Sequence, residues 1–142
     1  MKLVTTKGRY ALRVLIDLAE HNNGNYIPMK EIAARQGISH KYLEQIMPIL
    51  MKDKIIDGAS GKGGGYRLNR PPEEYIVGEI LSLTEGSLAP VACVDECNPE
   101  KCGRTDNCRT HPMWEKYNEL TLEFFNGITI ADLMKKEQND QE

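Results

Sequence analysis

Four cysteines, Cys93, Cys97, Cys102 and Cys108, fall within sixteen consecutive residues, and the chain has no others. A thiolate is both a soft metal ligand and a nucleophile, so such a cluster points to metal binding or redox chemistry rather than to a disulfide frame. The intervals are three, four and five intervening residues. Structural zinc sites use pairs about two to four residues apart, which only Cys93–Cys97 and Cys97–Cys102 approach. Thiolates hold iron–sulfur clusters equally well, so spacing alone leaves zinc and iron–sulfur both open. His111, three residues after Cys108, reads either as a further ligand or as a cap on the helix that follows. The opening stretch Met1–Lys7 has no apolar signal core, which points to a cytoplasmic protein with reduced thiols.

A second chemistry lies in the charge. The formal net charge is −3, which argues against nucleic acid only if it is evenly spread. Residues 1–70 carry 12 Lys and Arg against 6 Asp and Glu, a net +6, while residues 71–142 carry 6 against 15, a net −9. A basic half joined to an acidic half suits a nucleic-acid binder with a separate acidic module. In the basic half, Ser39, His40, Lys41, Tyr42 and Glu44 sit together. Lys41 can donate to guanine, Glu44 can accept from cytosine and Ser39 can serve base or phosphate. Lys7, Arg9, Lys62 and Arg67 are candidates for backbone phosphates, which position a protein without specifying sequence. Arg13 reads as part of a solvated helix face.

These residues need elements to hold them. Thr5 or Thr6 can cap a first helix, whose apolar positions Ala11, Leu12, Leu15, Ile16, Leu18 and Ala19 keep helical spacing until Asn22-Asn23-Gly24-Asn25. A second helix is predicted from Met29 to Gln36, with Pro28 at its start. Ser39 caps a third, with Leu43, Ile46, Met47 and Leu50 inward and a bend at Pro48. The joint is only Gly37-Ile38-Ser39, the helix-turn-helix pattern. Ile55-Ile56-Asp57, a glycine-rich turn from Gly58 to Gly65 and Tyr66-Arg67-Leu68 read as a two-stranded wing. The glycine run is not a phosphate loop, because no Ser or Thr follows Lys62. A fourth helix is predicted over Glu73–Leu83, with Ile76, Val77, Ile80 and Leu83 on one face. Residues 86–111 form a loop long enough to need a reason for order, and a metal supplies one. A long helix over Pro112–Asn126 carries Trp114, Tyr117, Leu120, Thr121, Phe124 and Phe125. Thr129 with Asp132 opens a last short helix in a capping box.

The expected fold is therefore mainly α with a small two-stranded β wing: a winged helix-turn-helix over residues 1–83, a cysteine-rich loop over 84–111, a long helix and short C-terminal helix over 112–134, and a polar tail over 135–142. An enzyme is not expected, since no Cys-x-x-Cys pair sits on a βαβ pattern. No apolar run is long enough to span a membrane.

Several segments carry a resemblance. Thr6-Lys7-Gly8-Arg9-Tyr10-Ala11, Gln36-Gly37-Ile38-Ser39 followed by Tyr42-Leu43-Glu44-Gln45, Gly63-Gly64-Gly65-Tyr66, Cys108-Arg109-Thr110-His111-Pro112-Met113-Trp114 and Ile128-Thr129-Ile130-Ala131-Asp132-Leu133 occur in that order. Together they resemble the Rrf-two family of winged-helix transcription regulators over nearly the whole chain. The resemblance implies a homodimer in which the helix over Pro112–Asn126 crosses its twofold mate. It implies reading of a palindromic operator in double-stranded DNA through Ser39, Lys41 and Glu44. It also implies an iron–sulfur cluster, 2Fe–2S or 4Fe–4S, on Cys93, Cys102 and Cys108, with His111 or Cys97 as the fourth ligand. A zinc-bound or cofactor-free regulator, as in the family's cysteine-metabolism branch, is the alternative. Two departures stand out. The Cys93–Cys102 interval is longer than in the iron–sulfur branch, and Ser60 replaces an arginine that in the family reaches the minor groove, leaving Lys62 as a phosphate contact.

Overall fold

The computed structural model describes residues 4–96 and 103–134. Helix α1 (Thr6–Glu20) begins at Thr5, whose hydroxyl accepts from the Gly8 amide at 3.5 Å. Helix α2 (Met29–Gln36) follows Pro28 and stops at Gly37, where φ is +65°, a left-handed turn natural to glycine. Helix α3 (His40–Lys52) starts at Ser39, whose Oγ accepts from the Tyr42 amide at 3.1 Å. Ala11, Val14, Leu15, Leu18, Ile32, Ile38, Leu43, Ile46, Met47 and Leu50 converge in one buried core. Helix α3 runs on past Pro48. An interior proline costs about 3 kcal/mol, but Met47 and Leu50 are both buried, each worth about 1.5–3 kcal/mol. Packing outweighs the lost hydrogen bond, and Pro48 itself faces outward.

Asp17 is the one charged side chain buried among the described residues. Its carboxylate accepts from Arg35 Nε at 2.9 Å and Nη2 at 2.8 Å, and from Gln36 Nε2 at 3.0 Å. This forked pair joins α1 to the end of α2. Burial alone would push the Asp17 carboxyl up, but the hydrogen bonds from Arg35 and Gln36, with the charges of Arg35 and His21, outweigh it and hold the group below its ordinary value of 3.8.

The wing is an antiparallel pair, β1 (Ile56–Ala59) and β2 (Gly65–Leu68), with Ile56 opposite Leu68 and Ala59 opposite Gly65. The strands reach further than the sequence reading, so only Ser60–Gly64 remain as the turn. At Gly65 φ is +147°, and a Cβ there would collide with the Ile27 carbonyl. That close approach lets Ile27 and Tyr66 exchange backbone hydrogen bonds at 2.7 and 2.8 Å, which ties the wing to the chain entering α2.

The predicted helix over Glu73–Leu83 is divided in the structure. Pro72–Glu74 form a 3-10 turn, Tyr75 and Ile76 are extended, and α4 covers Val77–Glu85. The cause is non-local. The Val77 amide donates to the Ile128 carbonyl at 2.9 Å, and the Ile130 amide donates to the Tyr75 carbonyl at 2.9 Å. Tyr75 is buried, its hydroxyl donating to the Ile55 carbonyl at 2.7 Å and accepting from the Asn69 amide at 3.1 Å. A 3-10 turn at Ala92–Val94 interrupts the expected loop. Helix α5 covers His111–Asn126, one residue longer than predicted, and α6 covers Ile130–Leu133 behind the Thr129–Asp132 capping box. Ile130 is buried in the same core as α1, so the chain returns to the body it left. No α5 residue is buried. The tail over 135–142 lies outside the described residues. Among those residues no helix is long and apolar enough to cross a membrane.

Removing Arg35 strands a buried carboxylate, whereas removing both partners does not. Arg35→Met is expected to cost on the order of 3 kcal/mol in urea unfolding, and Asp17→Leu with Arg35→Met together to recover much of it. Because the Asp17 carboxyl is depressed in the folded state, its contribution is present above pH 3.8, the ordinary value, and is lost as pH falls below it. The Asp17→Leu/Arg35→Met variant is therefore expected to lose less stability than the parent between neutral pH and pH 3. An equal acid loss in the two contradicts this role for Asp17.

Candidate functional site

The first group of candidate residues gathers at the N-terminal end of α3. Ser39, His40, Lys41 and Glu44 are exposed, and Ser39 spends one lone pair on its own cap. His40 Nδ1 lies 3.9 Å from Glu44 Oε1, one turn on. Tyr42 is half-buried instead: its ring meets that of Tyr10 edge-on at 5.2 Å. Arg13 stacks over the other partner, 5.1 Å from the Tyr10 ring centroid. It also donates from Nε to Gln36 Oε1 at 3.2 Å and from Nη2 to the Gln36 carbonyl. Arg13 thus braces the turn before α3, a role its sequence position does not advertise. Lys7 and Arg9 lie in the first turn of α1, with Arg9 Nη2 donating to Thr6 Oγ1 at 3.2 Å.

At the wing tip Ser60 and Lys62 are exposed. Arg67 is occupied elsewhere. Its Nη1 donates to the Gly24 carbonyl at 2.9 Å, and its guanidinium sits 4.3 Å from the Tyr26 ring centroid. It pins the α1–α2 connection to β2.

The second group lies where the loop meets α5. Cys93, in the 3-10 turn, has its Sγ 3.3 Å from Nδ1 of His111, the first residue of α5. Thr110 occupies the cap position, so His111 is not the cap. Its other ring nitrogen, Nε2, lies 2.8 Å from Glu115 Oε1. Cys108 Sγ lies 3.3 Å from Thr110 Oγ1. Hydrogen bonds from the Thr110 side chain and backbone, with the His111 amide and the Arg104 charge adding to them, hold its thiol below the ordinary value. A cavity of about 480 Å³ opens beside Cys93 and His111, with Asp95, Glu119 and Leu122 on its walls. Cys97 and Cys102 lie outside the described residues. Among the described residues no three of His, Cys, Asp and Glu converge to hold an ion. The two donors brought together, the Cys93 thiol and the His111 imidazole, fit an iron–sulfur cluster or zinc by type.

A third feature was legible only as scattered aromatics. Along α5, Met113, Tyr117, Leu120 and Phe124 follow each other at four, three and four residues and are 53%, 46%, 52% and 64% exposed. This is the a/d spacing found in helix–helix seams, on an exposed face.

Comparison with known proteins agrees across the chain. The family described as "Rrf2: Iron-dependent Transcriptional regulator" matches residues 4–136. A curated relative, HTH-type transcriptional regulator IscR of Sodalis glossinidius (strain morsitans), is 36% identical over 135 residues, covering 95% of this chain and 80% of the relative. IscR of Aliivibrio salmonicida (strain LFI1238) is 37% identical over 134 residues, covering 94% and 77%. Among solved structures, T. potens IscR has a TM-score of 0.74 at 32% identity, covering all of this chain and 92% of that one. CymR, the global cysteine regulator of B. subtilis, has a TM-score of 0.73 at 28% identity, covering 94% of this chain and 96% of that one. A winged helix-turn-helix, matched family residues and relatives named as regulators point one way: the chain belongs to the Rrf2 (Rrf-two) family of transcriptional regulators.

Proposed function

We propose that this regulator acts in the cytoplasm as a homodimer. It reads a palindromic operator and senses iron–sulfur, redox or nitrosative status through a cluster on Cys93, Cys102, Cys108 and a fourth ligand, His111 or Cys97. The observation that carries the sensing half is the 3.3 Å approach of His111 Nδ1 to Cys93 Sγ. It joins the loop to the first residue of a helix whose apolar stripe is uncovered. When bound, the cluster would supply a covalent tie between the loop and α5. The protein's own residues do the rest. Cys93 and His111 register the turn at Ala92–Val94 against α5. The stripe of Met113, Tyr117, Leu120 and Phe124 packs on its mate. The Ile76–Thr129 bridge anchors the far end of α5 to the DNA-binding body. A shift at His111 is thereby carried to the spacing of the two α3 helices, whose half-sites would lie about 34 Å apart.

On DNA, the exposed start of α3 enters the major groove, where Lys41 and Glu44 meet base edges and Ser39 base or phosphate. Lys7, Arg9 and Lys62 hold phosphates. Likeness to CymR supports an alternative, a zinc-bound or cofactor-free regulator with a thiol or protein signal, and metal content separates the two.

Protein purified without oxygen is expected to be coloured, with an iron–sulfur charge-transfer band and matching iron and sulfide. A colourless protein with stoichiometric zinc that rebuilds no cluster contradicts the sensing reading and leaves the DNA reading intact. On DNA, Glu44→Ala is expected to change base preference at one operator position by about 1–3 kcal/mol. Lys62→Ala should weaken binding to every sequence and reduce the salt slope by about one unit. Arg67→Ala, whose guanidinium is already engaged, should lower thermal stability and leave that slope unchanged. Unaltered base preference in Glu44→Ala contradicts the assignment of α3 as the reading helix.

A further inference from the structure

One carboxylate beside the cysteine site has no part in the mechanism above. Glu115 Oε1 lies 2.8 Å from Nε2 of His111, and Nδ1 of the same ring lies 3.3 Å from Cys93 Sγ. A neutral imidazole carries one N–H and one lone pair, and an ionised carboxylate only accepts. For the neutral ring the short approach of Glu115 is attractive only with the proton on Nε2, which leaves the Nδ1 lone pair to accept from the Cys93 thiol. One tautomer satisfies both neighbours. The His111 side chain is 13% exposed and that of Glu115 62%. The ring is thus shielded from water, while the carboxylate keeps most of its hydration. As an exposed i,i+4 pair it contributes little to stability, so its consequence is orientation rather than energy.

We propose that Glu115 is a positioning residue for the cofactor site, holding the His111 proton on Nε2 and presenting Nδ1 as the ligating nitrogen beside Cys93. This rests on the reading of His111 as the fourth ligand. A carboxylate on the far nitrogen of a ligating histidine fixes the ring and raises its basicity, and here one turn of α5 supplies it. More electron density on the ring favours the oxidised cluster, so the reduction potential is lower with Glu115 than without it.

The test uses the full chain with histidine isotopically labelled at its ring nitrogens. Nuclear magnetic resonance of the cluster-free protein is expected to show the Nε2–H tautomer at His111 in the parent and in Glu115→Gln, which keeps an acceptor oxygen. Glu115→Ala is expected to lose that preference. After anaerobic reconstitution, pulsed electron paramagnetic resonance of the reduced cluster should show coupling to Nδ1 in the parent. In Glu115→Ala the cluster should be lost about tenfold faster and its potential should move in the positive direction. An unchanged tautomer in Glu115→Ala overturns the proposal, as does full iron loading with coupling to Nε2 or to no histidine. Those results leave the iron–sulfur reading standing, whereas failure to take up iron at all removes both, and iron analysis tells the two failures apart.

Discussion

The short backbone bridge between Ile76 and Thr129 governs how the rest of the molecule is arranged. Through it the Val77 amide and the Tyr75 carbonyl find partners in residues 128–130, and α6 is set into the core of α1 with Ile130 fully buried. The chain leaves the winged helix after α4, makes the cysteine loop and α5, and is then bound back to its starting point. Helix α5 is consequently an arm fixed at its C-terminal end that buries none of its own residues. Met113, Tyr117, Leu120 and Phe124 stand exposed along it, and in the proposed dimer a second copy of the same helix covers them. The cysteine loop meets the other end of the arm at His111.

The reading head depends on a different constraint. Asp17 is buried between α1 and α2 with Arg35 and Gln36 as partners, and Arg13 holds Gln36 from the outer side. Gln36 immediately precedes Gly37 and the turn into α3, so these bonds fix the angle at which α3 stands on α1. Tyr10 and Tyr42 close the same angle by ring packing. The exposed Lys41 and Glu44 are thus carried on a helix whose pose is set by buried charge and aromatic contact. The positive charge lies in the half that carries α3, and the −9 lies in residues 71–142.

Much of this was legible in the sequence because it is local. Helical spacing located α1, α2 and α3, the Gly37-Ile38-Ser39 joint identified the turn, and Thr129 with Asp132 marked the capping box. What was not legible is non-local. Nothing around Tyr75 announces a break in its helix, because the hydrogen bonds that pull it straight come from residues more than fifty positions away. Arg67 reads as a phosphate contact, and its hold on Gly24 and Tyr26 is visible only in the structure. Asp17 reads as an ordinary charge on an amphipathic helix, since its partners lie eighteen and nineteen residues on. The cysteines and His111 stood out in the sequence by residue type and spacing. The contact of His111 with Cys93, rather than a capping role, emerged only when the 3-10 turn brought the two together.

The central claim is that the state of the cysteine site sets the separation of the two reading helices through α5. Distances between spin labels placed at the exposed Gln45 of each protomer by non-thiol chemistry, measured by pulsed dipolar spectroscopy with and without the cluster, test it directly. Two distinct distributions are predicted, with the form that binds operator compatible with half-sites about 34 Å apart. Identical distributions in cluster-loaded and cluster-free protein would contradict it.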